Sequence, residues 1–109
     1  MRACAEKPSC EADKTEARAG GRVHLTCRMS YSGSPELPPM MDWYAGDDED
    51  LGSSDETRVG EAQGDATRVL TTADDRRPFR CVATLGDVQQ VCEVEVQVPR
   101  EYRFDYPPA

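Results

Sequence analysis

Residues 22–29 read Arg-Val-His-Leu-Thr-Cys-Arg-Met, and apolar side chains recur at every second position of this stretch. In an extended chain Val23, Leu25 and Cys27 point to one side, whereas His24 and the other polar residues point to the opposite side. Strict alternation of this kind is typical of a strand that buries one face of a sheet. The stretch therefore predicts a half-buried β-strand.

The chain on either side of this strand alternates between strand-forming and turn-forming stretches. A Pro- and Gly-rich stretch at 30–39 predicts a loop, and the polar stretch 46–64 predicts edge strands and connections. No segment carries the sustained apolar repeat of a core helix, which favours an all-β fold. Further strands are predicted at 41–44, with Met41 and Trp43 facing inward, and at 66–71, 78–85 and 88–98.

The dipeptide Gly86-Asp87 predicts a tight hairpin between the last two strands. In that register Leu85 pairs with Val88, and Cys81 lies opposite Cys92 with both side chains on the same face. Each of these cysteines is therefore better placed to reach a cysteine on another strand than to bond its neighbour.

Length and charge limit the classes of function. The chain has 109 residues and a formal net charge of -8, which fits one domain with an excess of acid. Nucleic-acid binders need Lys and Arg to neutralise phosphates, so no nucleic-acid partner is expected. No apolar run approaches the roughly 18–20 residues that span a bilayer, so no direct membrane insertion is expected either.

Five cysteines, at positions 4, 10, 27, 81 and 92, are many for a chain of this length. Such density is typical of secreted or cell-surface proteins, so an extracellular localisation is predicted. The cysteines form no Cys-x-x-Cys pair and His24 is the only histidine, so the usual ligand spacing of a zinc site is missing. Neither a metal nor another cofactor is predicted.

The odd number of cysteines has two interpretations. The residues Ala3-Cys4-Ala5 fit the small-x-small pattern at a signal-peptidase site, so residues 1–5 would be a signal-peptide or vector-derived remnant. Alternatively, Cys4 belongs to the mature chain and is free or pairs with another molecule.

Three patterns together resemble the fingerprint of immunoglobulin domains: Val23-x-Leu25-x-Cys27, then Trp43, then Asp75-x-Arg77-x-Phe79-x-Cys81. The resemblance implies an immunoglobulin-like two-sheet Greek-key sandwich of seven or eight strands over residues 6–99. The short Cys-to-Cys spacing is similar to that of C2- or I-like domains, and the whole is similar to domains of nectin-like and nephrin-like adhesion receptors. There, a run like Tyr106-Pro107-Pro108 opens the next domain, so residues 100–109 are expected to be a linker in a tandem array.

The same resemblance implies roles for the cysteines and the aromatic core residues. A Cys27–Cys81 disulfide would join the two sheets, with Trp43 packed against it and Phe79 in the core. A second disulfide is expected between Cys10 and Cys92.

The corner before Cys81 departs from the family pattern. Phe79 stands where the family has Tyr, so the hydroxyl-to-backbone bond is lost, and Arg77 replaces a small residue. A looser corner is therefore expected. Arg58 would compensate by pairing with Asp75, or else it is a solvated residue of a charged loop.

No catalytic constellation is visible. A Ser-His-Asp arrangement needs a histidine held between a carboxylate and a nucleophile, and His24 lies at an outward position in the middle of a strand. No glycine-rich phosphate loop is present. The chain is therefore not expected to be an enzyme.

The densest acidic run covers residues 47–50, with Asp55 and Glu56 just beyond. Consecutive carboxylates diverge, so a calcium loop is not favoured and a solvated loop is the plain interpretation. The resemblance offers an alternative: some adhesion receptors present an acidic residue on this loop to the metal of an integrin. Asp50 or Asp55 would fill that role.

The sheet that contains the strands around Trp43, Cys81 and Cys92 is the face that many immunoglobulin domains use for binding. Its expected outward residues include Tyr44 and Arg80, which resemble a hot-spot composition, and Val82 and Val91, which would form an apolar patch. Asp42, Glu93 and Glu95 are also expected to point outward.

These observations favour an extracellular domain of a cell-adhesion or immune-type receptor that acts through homophilic or heterophilic protein–protein recognition. The alternative is a structural spacer in a tandem array with no ligand of its own.

Overall fold

The computed structural model of the chain describes residues 4–32, 39–46 and 49–99. Four parts of the chain lie outside these residues: the first three residues of the predicted 1–5 remnant, most of the predicted 30–39 loop, the acidic residues Asp47 and Asp48, and the predicted 100–109 linker. Within them the structure has nine strands and a single 3-10 turn at Thr72–Asp74: β1 (Cys4–Ala5), β2 (Ser9–Ala12), β3 (Arg22–Ser32), β4 (Met40–Ala45), β5 (Glu49–Gly52), β6 (Ser54–Arg58), β7 (Glu61–Val69), β8 (Pro78–Leu85) and β9 (Val88–Glu95).

The strands form two antiparallel sheets. In the first sheet β1 and β2 pair with successive parts of β3, which is followed by β7 and β6; the second has the order β5-β4-β8-β9. This arrangement is an immunoglobulin-like sandwich: if β1 and β2, which both pair with β3, are counted as one interrupted edge strand, it has the seven strands of a constant-type domain and one extra strand, β5. A parallel bridge between Glu16 and Gln97 also attaches the N-terminal segment to the chain after β9. In the part of the chain described, no helix has the length and apolar character of a membrane span.

The core lies between the sheets, where the strands present alternate residues. Trp43 and Phe79 are both fully buried. The indole Nε1 of Trp43 donates a hydrogen bond of 3.1 Å to the carbonyl oxygen of Gly64 in the opposite sheet. A Cβ at Gly64 would lie 2.7 Å from the Cβ of Met41, so glycine is what allows β4 and β7 to approach this closely.

Most strand boundaries agree with the sequence patterns, and β8 agrees at both ends. The Gly86-Asp87 hairpin has the predicted register, with Leu85 opposite Val88 and Cys81 opposite Cys92. The main difference concerns β7, which begins at Glu61 and not at residue 66. Its inward residues there are small, as at Ala62, so the apolar alternation is weak.

Four of the five cysteines lie close together between the two sheets. A disulfide joins Cys10 of β2 to Cys92 of β9 and so ties the two sheets together, in agreement with the expected pairing. Cys27 and Cys81 are buried and carry free thiols in this structure. The four sulfur atoms lie within 4.8 Å of one another. Because Cys27 and Cys81 are close but not bonded, the expected disulfide between them remains a prediction.

An ionic network, missed in the sequence, closes the corner before β8. Arg68 of β7 donates from Nε and from Nη2 to the carboxylate of Asp74, at 3.2 Å each. The same guanidinium donates to Glu49 at the start of β5. Asp74 is fully buried and also accepts the backbone N–H of Thr71 at 2.9 Å. Because β7 and β5 belong to different sheets, the network joins the sheets at this end of the domain.

The expected ion pair between Arg58 and Asp75 is wrong, because the two residues have other contacts. The carboxylate of Asp75 accepts the backbone N–H of Val98 at 2.8 Å. Arg58 is exposed on β6, and its carbonyl accepts the Tyr31 hydroxyl at 2.9 Å. The turn at Thr72–Asp74 directs the side chain of Asp74, one residue earlier, into the interior. Asp74 and not Asp75 therefore forms the ion pair, and its partner is Arg68.

The corner is also held more firmly than its sequence suggests. Arg77 donates hydrogen bonds of 3.0 Å to the carbonyl of Ala45 and 3.2 Å to Glu49. Its guanidinium lies against Gly46, where an added Cβ would be 2.7 Å from the Arg77 Nε. The long side chain therefore ties the corner to the end of β4, in place of the missing tyrosine hydroxyl.

We expect the oxidised protein to contain a Cys27–Cys81 disulfide beside Cys10–Cys92, because both pairs link opposite sheets and the sulfurs already lie within 4.8 Å. Mass spectrometry of non-reduced peptides would identify the pairs. Linkage of Cys27 to any other residue would contradict the expectation.

Replacing Arg68 with Met is expected to lower the free energy of unfolding by about 3 kcal/mol, because it removes the two-point partner of the buried Asp74 carboxylate and leaves only a 3.5 Å contact with Arg77 in its place. Urea unfolding would measure the loss. The matched control is Glu11→Gln, which breaks the exposed 2.8 Å ion pair with Arg28 and should cost less than about 1 kcal/mol. Equal effects of the two changes would contradict a structural role for the network.

The same network predicts acid sensitivity. Burial by itself would raise the pKa of Asp74, but hydrogen bonds from Arg68 and Thr71 outweigh it and hold the pKa below its ordinary value. The carboxylate therefore stabilises the fold fully above about pH 4, and this contribution is lost as the pH falls through the lowered pKa. Urea midpoints between about pH 6 and pH 2 should fall less steeply for Asp74→Asn than for the unmodified chain. Parallel slopes would contradict the assignment.

Candidate functional site on the open sheet face

The outer face of the β5-β4-β8-β9 sheet is formed by side chains that alternate with the core residues. Strand register arranges them in rows across the sheet. One row places Val82 between Asp42 and Val91. The next row places Arg80 between Tyr44 and Glu93. Two rows across β4, β8 and β9 thus carry the residues that the sequence singled out, and we call this surface the open face.

The first row is largely apolar. Val91 is 43% exposed, and Met40, one row further along β4, is 58% exposed. Val82 lies directly opposite Val91 and is half-buried between its neighbours. Apolar side chains that share one face of a sheet without a covering layer are typical of a surface that binds another protein.

The second row is built around an aromatic ring and a cation. The guanidinium carbon of Arg80 lies 5.7 Å from the centroid of the Tyr44 ring, within the range of a cation–π interaction. Glu93 lies opposite Arg80 on β9. Contact with Tyr44 restricts the Arg80 side chain before any partner arrives, which lowers the entropy that binding would cost.

Carboxylates collect along the β5 side of the open face. Burial raises the pKa of Asp42 above its ordinary value, and repulsion from Asp55 and Asp50 raises it further. Asp50 is exposed on β5 opposite Tyr44, and its carboxylate accepts the N–H of Gly52 at 2.8 Å. This edge therefore has a negative potential that a basic group on a partner would relieve.

Asp55 does not belong to the open face. It lies on β6 in the other sheet, where its carboxylate accepts the backbone N–H of Met41 at 3.0 Å and the hydroxyl of Ser53. Both carboxylate oxygens are thus used inside the domain. Asp55 is nonetheless exposed, so its expected contact with a partner or a partner's metal remains a prediction, placed beside β6 and not on the open face.

His24 lies on the outer surface of the other sheet, where its side chain is 51% exposed. Its Nε2 is 3.6 Å from the carboxylate of Asp65. Such a pair is an ordinary surface contact between neighbouring strands, and it does not hold the imidazole beside a nucleophile.

Comparisons with known proteins bear on the fold. No family model and no curated protein matches the sequence. Among solved structures, the full ectodomain of mouse nectin-like molecule 4, with domains Ig1–Ig3, is similar, with a TM-score of 0.67 and 19% identity over 85% of this chain and 33% of that one. The twitchin kinase fragment from C. elegans, with its kinase and immunoglobulin domains, has a TM-score of 0.55 and 20% identity over 87% of this chain and 21% of its own. The M1 domain from titin has a TM-score of 0.51 and 18% identity over 93% of this chain and 100% of its own.

The chain therefore spans about a third of the nectin-like ectodomain and about a fifth of the twitchin fragment, and it covers the whole of the titin domain. At these identities the likeness concerns the fold, which is an immunoglobulin-like domain. The neighbours include the ectodomain of a nectin-like molecule, a kinase fragment with immunoglobulin domains and a titin domain, so the likeness to them does not indicate a function for this chain.

Proposed function

We propose that this chain is an extracellular immunoglobulin-like domain of a cell-adhesion or immune-type receptor, and that it binds a protein partner through the open face. The observation that carries the proposal is the Tyr44–Arg80 contact, which lies one row from the apolar Val82–Val91 pair on a sheet face that none of the described strands covers. Tyr and Arg dominate the energetic centres of protein interfaces. The proposed role is recognition and not catalysis.

Charge favours a partner other than a second copy of the chain. Among the residues that the structure describes, the open face carries the acids Asp42, Asp50 and Glu93 and one cation, Arg80. Two such faces placed against each other would bring like charges together, which costs free energy and slows association. A heterophilic partner with Lys or Arg around an apolar centre fits the face better, and Asp50 is the exposed carboxylate best placed to meet it.

The compartment and the domain organisation are proposed on separate grounds. A disulfide between Cys10 and Cys92 is typical of oxidising compartments, which supports a cell-surface or secreted protein. The resemblance to adhesion receptors supports residues 100–109 as a linker to a following domain. A spacer with no ligand of its own is the second candidate function, and it differs in predicting that the open face binds no partner.

The proposal predicts that Tyr44→Ala and Arg80→Ala each weaken partner binding at least about tenfold, since each removes half of a contacting pair at the interface centre. The domain, multimerised on a labelled carrier, would be titrated on a panel of cell types by flow cytometry, and sedimentation of the free domain would report self-association.

Thr67→Ala is the matched control, because Thr67 is exposed on the outer surface of the other sheet. Circular dichroism would verify that all variants are folded. Saturable binding that survives both open-face changes would contradict the assigned surface, and absence of any binding would favour the spacer.

A further inference from the structure

We propose that the reduced chain contains a metal site, in which Cys10, Cys27, Cys81 and Cys92 bind one zinc-like divalent ion as a tetrathiolate. The inference does not rest on the proposed receptor function, because it concerns the interior of the sandwich and not the open face. It applies to the thiol form of the protein, before oxidation links the cysteines.

The sulfur positions are close to those that a metal requires. Zinc binds cysteine sulfur at about 2.3 Å in tetrahedral geometry, which places the sulfurs about 3.8 Å from one another. The four sulfurs here lie within 4.8 Å of one another, and the Cys27 and Cys92 sulfurs are 3.7 Å apart. In the thiol form Cys10 and Cys92 are not bonded, so their sulfurs can separate to the same spacing.

The sheets supply what the linear sequence lacks. A Cys-x-x-Cys motif brings two ligands together along the chain, whereas here Cys10 lies opposite Cys27 on paired strands, and Cys81 lies opposite Cys92 on another pair. Each sheet thus offers two adjacent sulfurs to the space between the sheets. Four ligands on two rigid surfaces approach the ion from opposite sides, as a tetrahedral site requires.

The donor set selects a soft ion. All four ligands are sulfur, which favours zinc, cadmium or cobalt over calcium or magnesium. Cys27 and Cys81 are fully buried, whereas Cys10 and Cys92 are partly exposed, which leaves a path for the ion along the edge formed by β2 and β9. Trp43 is paired with Cys81 across the sheet and would report changes at the site through its fluorescence.

Proton balance follows from the same geometry. Thiols with no cation nearby are mostly protonated at neutral pH, because the pKa of an ordinary cysteine is about 8.5. Binding of the divalent ion forms four metal–sulfur bonds and releases four protons to solvent, with no change in oxidation state, because a coordinating thiol is deprotonated by the metal.

The test uses the full chain, reduced with a phosphine under argon. The phosphine takes up oxygen from water as it opens the Cys10–Cys92 bond, and the two thiols gain the protons. Titration with Co²⁺ and then Cd²⁺ should saturate at one ion per chain, with the visible spectrum of tetrahedral cobalt and a cadmium–thiolate charge-transfer band. Added Zn²⁺ should displace the cobalt and remove its colour.

Cys81→Ser should lose the tetrathiolate spectrum, and Cys4→Ser is the matched control that should retain it, since Cys4 pairs with Ser32 at the far end of β3. If the reduced chain is unfolded without metal, the ion should restore the near-ultraviolet circular dichroism of the folded domain. The proposal is overturned if no saturating one-to-one complex forms, or if Cys81→Ser and Cys4→Ser behave alike. Binding by the open face of the oxidised protein is measured separately, so a failure here leaves the proposed function standing.

Discussion

The contact between Trp43 and Gly64 sets the spacing of the whole sandwich. The indole is buried between the sheets and donates its only proton across the gap to a backbone carbonyl. A buried indole N–H without a partner would be costly, so this bond fixes where β4 lies over β7. Because the sheets approach closely here, the residues that flank Trp43 in register, including Cys81 on β8, are brought toward the opposite sheet as well. The convergence of the four sulfurs is a consequence of that spacing.

Where apolar and polar side chains alternate clearly, the sequence predicts which face of a strand each side chain occupies. Where the position of a side chain depends on a partner far along the chain, the sequence does not predict it. The alternation in β3 and the Gly86-Asp87 turn are sufficient to define strands, faces and the Cys81–Cys92 register. The start of β7 was missed because Ala62 and Gly64 are too small to produce an apolar signal. A short-range pattern is sufficient only when the inward residues are large.

The corner and the cysteine site were harder for the same physical reason. Whether Asp74 or Asp75 turns inward depends on a single backbone turn, and Arg68, which donates hydrogen bonds to the buried carboxylate of Asp74, lies on the preceding strand. Ligand spacing along the chain argues against zinc, yet strand pairing places Cys10 beside Cys27 and makes spacing along the chain irrelevant. Alternation places the residues of the open face outward, whereas Asp55 is held by polar neighbours at the sheet edge that no periodicity could indicate.

The disulfide between Cys10 and Cys92 also determines how the domain would carry a pulling force. It closes a loop with a sequence separation of 82 residues, which in a chain-entropy estimate disfavours the unfolded state by about 4–5 kcal/mol. Tension that enters the chain before Cys10 and leaves it after Cys92 passes through one covalent bond and bypasses every strand from β3 to β8. Under load the oxidised domain would therefore transmit force with almost no extension, whereas the reduced domain would unravel strand by strand and lengthen.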